Sequence, residues 1–134
     1  MLLLVKPLPA YTRFAAADGS CRYLITLGDG EVVESVLILQ GNRSTFCISS
    51  QVGCALACRF CLTGRLGLTR NLSAEEMVSQ VLLLRHEIAS RPSGRFSVVL
   101  MGMGEPLQNF TGRCAPSGGV DSRYALEDQP DPAQ

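Results

Sequence analysis

An α/β fold that opens with a β-hairpin and passes into a β-α-β unit is what this sequence predicts, on three observations. Two strand-forming runs, Arg22-Tyr-Leu-Ile-Thr-Leu27 and residues 31–40 around Val-Leu-Ile-Leu, flank the turn Gly28-Asp29-Gly30. A helix with a recognisable start follows at Ser73. A short, nearly continuous apolar run, Phe96-Ser-Val-Val-Leu-Met101, then reads as a buried parallel strand. At 134 residues the chain suits one domain burying about two-thirds of its surface.

Each element has its local reason. Residues 1–20 hold two prolines, several alanines and Asp18-Gly19, and read as an irregular lead-in to a hairpin over 21–43. Glu34, in Val-Val-Glu-Ser-Val, is by pattern a solvent-facing strand residue, and Cys21 a passive small hydrophobe. Gly41-Asn42 turns the chain into a third strand over 44–50, where Cys47 is by pattern a packing residue. Ser73 and Glu76 stand in capping-box spacing, so two otherwise free amide donors are satisfied. Met77, Val78, Val81, Leu82 and Ile88 are expected to form the apolar face of that helix. His86 suits its surface near the C-terminal end, and Arg91-Pro92 stops it by Ser90. The strand after it emits Gly102-Met103-Gly104-Glu105-Pro106. Alone, that string is a tight turn or a place where a ligand approaches the backbone and Glu105 accepts from an ammonium group. Residues 111–134 are rich in Gly, Pro, Ser and Asp and read as a disordered tail, leaving Cys114 without a role.

The chemistry centres on Gly-Cys-Ala-Leu-Ala-Cys-Arg-Phe-Cys-Leu-Thr-Gly, residues 53–64. Cys54, Cys58 and Cys61 lie in C-x3-C-x2-C spacing, with Phe60 just before the last. Three thiolates on one short loop can hold three corners of a cubic [4Fe–4S] cluster and leave one iron open. Structural zinc wants four ligands, commonly from two C-x2-C knuckles, and here there is one. Cys47 could supply a fourth, so zinc stays open. The clustering of the cysteines argues against a disulfide scaffold, and a reducing cytoplasm fits free thiolates. The apolar run at residues 1–5 is too short for a secretory peptide, and nothing in the sequence approaches a membrane span. Twelve acidic and twelve basic residues cancel. Between Gly41 and Arg95, however, seven arginines face Glu75, Glu76 and Glu87, a balance suited to phosphates or to an ordinary solvated surface.

The words around the cysteines are narrower than the spacing. Phe46-Cys-Ile-Ser-Ser-Gln-Val-Gly-Cys54 through Val81, followed by Val98-Val-Leu-Met-Gly-Met-Gly-Glu-Pro106, resembles the radical S-adenosylmethionine RNA (adenine-C2) methyltransferases. The likeness covers residues 22–110. It implies that residues 44–110 begin a partial (β/α)6 TIM-like barrel, left incomplete, with the cluster loop at the C-terminal end of its first strand. It implies Cys54, Cys58 and Cys61 as ligands of a [4Fe–4S] cluster, and Gly104 and Glu105 as binding the amino group of S-adenosylmethionine. It also implies Glu34 as proton acceptor and Cys47 as a redox-active thiol that closes a disulfide to free the product. The substrates it implies are 23S ribosomal RNA and tRNA, with flavodoxin or ferredoxin as electron donor, in the cytoplasm and away from membranes. Family members carry a methyl group on a cysteine nearer their C-terminus. The chain is therefore expected to be a truncated fragment, departing from its ancestral frame or cut near Thr111, that binds a cluster without methylating RNA unaided. A non-catalytic iron–sulfur or zinc-binding module and a gene remnant are the alternatives.

Overall fold

The computed structural model describes residues 7–90 and 95–109. Its first four strands lie side by side in chain order, β1 (Tyr11–Ala15), β2 (Cys21–Thr26), β3 (Val32–Gln40) and β4 (Arg43–Cys47), each antiparallel to the next. The β2–β3 hairpin forms where the glycine turn sits: the Gly30 amide donates to the Leu27 carbonyl at 3.0 Å, and Gly30 takes φ +88°, which its missing Cβ allows. Strand β1 lies within the stretch expected to be an irregular lead-in, which corrects that expectation for residues 11–15. Tyr11, Thr12 and Phe14 are strand formers, and Asp18 caps the turn into β2 by accepting from the Ser20 amide at 2.9 Å. The meander has three hairpin-linked strands before β4, rather than two.

After β4 the chain runs through β5 (Gln51–Gly53), a single helical turn α1 (Leu62–Arg65) and β6 (Leu68–Asn71), then enters helix α2 (Ala74–Glu87). Strands β5 and β6 pair antiparallel as a separate two-stranded ribbon. Helix α2 crosses over to β7 (Arg95–Val99), which pairs parallel with β4, so the main sheet has the order β1-β2-β3-β4-β7. A 3-10 turn at Pro106–Asn109 follows the glycine strip. The expected β-α-β unit is therefore present. The ribbon and α1 were not expected. The tail over 111–134 and Cys114 lie outside the described residues.

Period-two burial on β2 sends Cys21, Tyr23 and Ile25 into the core, where they meet Val33, Leu37, Phe46, Ile48 and, from α2, Leu83 and Leu84. The helix faces inward along Gln80, Leu83 and Leu84, with Met77, Val81 and Ile88 packed at its flank. Val78 and Leu82, expected on the apolar face, are exposed. The inward position at 80 is a glutamine, so apolar periodicity alone points to a face rotated from the real one. Strand β7 is also not buried. Phe96 and Val98 stay about 40% exposed on this end strand of the sheet. Arg70 fastens the hairpin to the helix start. Its guanidinium meets Asp29 at 2.8 Å and both Glu76 oxygens at 2.8 and 2.9 Å. Cys21 is buried as expected, though its sulfur also accepts from Arg13 at 3.0 Å. Among the described residues no helix is long and apolar enough to cross a membrane.

The capping box is formed in both directions, Glu76 N–H to Ser73 Oγ at 3.2 Å and Ser73 N–H to Glu76 Oε2 at 2.9 Å. Ser73→Ala is expected to cost about 1 kcal/mol in urea unfolding. An unchanged midpoint and slope would show the cap to be idle. Arg70 first, then the Ser73 amide, hold the Glu76 carboxyl below its ordinary value. A depressed folded-state pKa stabilises fully above the unfolded value and is lost as pH falls through the folded value. Glu76→Gln should therefore flatten the loss of stability in that acid window, which a pH series of urea midpoints measures.

Candidate functional site

The cysteine loop is closed by glycines. Gly53 ends β5 with φ +78°, and a Cβ there would lie 1.8 Å from the Gly67 carbonyl oxygen. That contact lets the Cys54 amide donate to the same oxygen at 3.0 Å, pinning the loop's base. Gly64 presses on the other side, where a Cβ would stand 2.9 Å from the Cys58 amide nitrogen. Between them Ala57 takes φ +48°, a left-handed conformation that costs a non-glycine residue roughly 1–3 kcal/mol.

The three thiols differ in setting. Cys54 is buried at the loop's base, whereas Cys58 and Cys61 are half-buried. The Cys61 amide donates to the Cys58 carbonyl at 3.0 Å, a turn that sets these two residues at the loop's tip. Cys61 then occupies the N-cap of α1. The Gly64 amide first, and Thr63 to a lesser extent, hold its thiol below the ordinary value, although neither closes a capping hydrogen bond. This favours the thiolate that binds metal. Among the described residues no three or more Cys, His, Asp or Glu side chains are gathered to hold a metal ion, so the loop thiols stand apart, and neither Cys47 nor His86 joins them in such a group. The donor set nevertheless fits an iron–sulfur cluster in its chemistry: three soft thiols on one loop, one already biased to the thiolate. Binding would draw the sulfurs together, since metal binding and local ordering are coupled. Phe60, at 94% exposure, projects from the same loop.

Residues 48–51 wire this loop to the glycine strip. Ile48 takes the Gly102 amide at 3.0 Å, and the Ser50 and Gln51 amides both donate to the Met103 carbonyl, at 2.9 and 3.2 Å. Gln51, fully buried, accepts the Glu105 amide at 2.9 Å and donates to Asn71 at 2.7 Å, joining strip to ribbon. Gly104 takes φ +98°, and a Cβ there would lie 2.5 Å from that of Gln51. A Cβ on Gly102 would come within 2.7 Å of the Ile48 backbone. The smallness of both glycines is thus used first in packing strip against strand. Glu105 is half-buried, its Oε1 accepting from the Leu107 amide at 3.2 Å. Asn109 donates to the Ser50 and Leu72 carbonyls at 2.8 and 2.9 Å and ties the following turn to the same strand. The Ser50 hydroxyl is buried without a partner among the described residues.

Glu34 and Cys47 are neighbours across β3 and β4, where Val36 is paired with Cys47. Burial is the main influence that pushes the Cys47 thiol up. The Glu34 charge adds to it, and the Met101 amide works against both. Cys47 therefore meets both the candidate proton acceptor and the backbone just before the strip. Glu34, 37% exposed, sits 3.8 Å from the Arg22 guanidinium. Sequence reasoning missed Ser49, Gln51, Asn71, Gln80 and Asn109. The one visible signal was Ser49-Ser50-Gln51, a polar triplet where a core strand would carry apolar residues.

This geometry has counterparts. The chain is 56% identical over 95 residues to the dual-specificity RNA methyltransferase RlmN of Syntrophobacter fumaroxidans, covering 71% of this chain and 28% of that protein. It is 45% identical over 103 residues to a probable dual-specificity RNA methyltransferase RlmN of Dictyoglomus thermophilum, covering 77% and 30%. The crystal structure of a radical SAM methyltransferase from Sphaerobacter thermophilus superposes with a TM-score of 0.72 at 41% identity, covering 77% of this chain and 31% of that one. The chain thus spans under a third of the length of these relatives. No family model matches it.

Gly53→Ala is expected to break the loop's base, through both the carbonyl clash and the positive φ. Bound iron after anaerobic reconstitution should fall severalfold, while Gly28→Ala, with nothing within 4 Å, keeps it. Equal iron in the two variants would contradict this account of the loop.

Proposed function

Because this chain is homologous over most of its length to RNA methyltransferases of the radical S-adenosylmethionine type, we propose that it carries the cluster-binding and cofactor-amino-binding portion of an enzyme that methylates C2 of adenosine in 23S ribosomal RNA and tRNA. Cys54, Cys58 and Cys61 would hold three irons of a [4Fe–4S] cluster. A cluster held there would supply one-electron reduction of the cofactor's sulfonium, chemistry called for because C2 of adenine offers no nucleophile for ordinary methyl transfer. Glu105, with the Gly104 backbone, would receive the cofactor's ammonium group. Glu34 would take the proton released from C2, and Cys47 would serve as the thiol whose disulfide frees the product. Burial and the neighbouring Glu34 charge raise the Cys47 thiol, so its proton would have to be taken up before the sulfur could act. The target base must leave its stack, so loops and single strands of RNA are the substrates. A small one-electron carrier such as flavodoxin or ferredoxin would reduce the cluster, in the cytoplasm.

The observation that carries this reading is the glycine-closed loop of three thiols, joined through residues 48–51 to the strip 102–105. The chain spans under a third of the length of its methyltransferase relatives. We therefore expect the reconstituted chain, given S-adenosylmethionine and dithionite, to form 5′-deoxyadenosine without 2-methyladenosine in added RNA. Cys58→Ala should abolish the first product. Stoichiometric zinc with no 5′-deoxyadenosine would overturn the reading, and 2-methyladenosine in the RNA would overturn the expected inactivity.

A further inference from the structure

Ser49 is a buried residue held at its hydroxyl, its amide and its carbonyl, and none of the proposed chemical roles uses it. Its hydroxyl donates to the Glu34 backbone carbonyl at 2.5 Å and accepts the Met103 amide at 2.9 Å. One oxygen thus bridges the strand that bears the candidate proton acceptor and the strip that precedes Glu105. The Ser49 backbone is itself clamped, because Gln80 Oε1 accepts the Ser49 amide at 2.8 Å and Gln80 Nε2 donates to the Ser49 carbonyl at 3.0 Å. Ser35 donates to the same Oε1 at 2.8 Å. Ser35, Ser49 and Gln80 are all fully buried. A glutamine facing the core of an amphipathic helix is costly unless every polar atom is satisfied, and here the amide is.

We propose that Ser49 and Gln80 are positioning residues, which fix the spacing between the Glu34 strand and the 102–105 strip and so set the strip's readiness for S-adenosylmethionine. The proposal rests on the functional reading above. The strip after β7 could shift relative to β3 if this joint were absent, because beyond Val99 its backbone contacts run to Ile48, Ser50 and Gln51 and not to β3, whereas β3 and β4 are registered by their own ladder. Among the described residues Ser49 is the one point at which the same side-chain oxygen holds both sides. Removing it leaves the Glu34 carbonyl and the Met103 amide without their partner, while Cys54, Cys58 and Cys61 keep theirs.

The test compares the reconstituted full chain with Ser49→Ala, and with Ser35→Ala as a control that loosens the network without touching the bridge. Hydrogen exchange reads the joint directly. In Ser49→Ala the Met103 amide should lose protection, whereas the Ser50 amide, held by a backbone carbonyl, keeps it. The electron paramagnetic resonance change of the reduced cluster on adding S-adenosylmethionine reads the function. Ser49→Ala should need about tenfold more cofactor for half the change, the scale of one lost buried hydrogen bond, at unaltered iron content. Ser35→Ala should melt earlier with its titration unmoved. Gln80→Glu, which keeps the side-chain shape and replaces the Nε2 donor, should shift the titration in the same direction and supplies the second variant should Ser49→Ala not fold. A wild-type titration in either variant, with lower melting alone, would overturn the positioning role. No spectral response from the unmodified chain would overturn the functional reading and this inference with it, whereas response in the unmodified chain and an equal one in the variants sinks the inference only.

Discussion

Residues 48–51 carry serines and a glutamine through a buried position, where a strand would ordinarily bring only apolar side chains, and their hydrogen bonds connect β3, the ribbon, α2 and the glycine strip. The Ile48 carbonyl and the Ser50 and Gln51 amides take hold of the glycine strip, while Ser49 joins it to β3. Gln51 reaches the ribbon under the cysteine loop, and Gln80 brings in the helix. Satisfied polar networks in a low-dielectric interior specify one arrangement more sharply than apolar packing, because any slip leaves donors and acceptors unpaired. The cysteine loop and the glycine strip, proposed to hold a metal cluster and its organic partner, are therefore registered against one another by the same few atoms.

Glycines complete this registration by allowing backbones to touch. Gly53 lies against Gly67, Gly64 against Cys58, Gly102 against Ile48 and Gly104 against Gln51. In each case a Cβ would come closer than 3.0 Å to its neighbour, so even alanine demands a shift. The consequence is a site made by close approach of loops to strands, with its side chains left for chemistry. Cys61 illustrates the division: the backbone of α1 tunes its thiol, and the thiol itself stays accessible.

Much of this could be read from the residues and some of it could not. The hairpin, the capped helix and the parallel strand follow from turn glycines, the Ser73–Glu76 spacing and an apolar run, all local signals. The cysteine spacing and the strip after β7 named the candidate site together with its relatives. What escaped depends on contacts distant in sequence. Strand β1 exists because β2 offers it an edge, and the ribbon β5–β6 because Gly53 and Gly67 meet across the loop. The helix face was misjudged because its central inward residue, Gln80, is polar and is paid for by Ser35 and Ser49, 45 and 31 residues earlier.

The central claim is that three thiols on a glycine-closed loop leave one iron of a cluster free for the cofactor. Mössbauer spectroscopy of the anaerobically reconstituted, iron-57-enriched chain examines that iron directly. The account predicts that adding S-adenosylmethionine moves the signal of about one iron in four toward higher coordination and leaves the others unchanged. A spectrum with all irons equivalent before and after addition, or a chain that takes up only zinc, would contradict it.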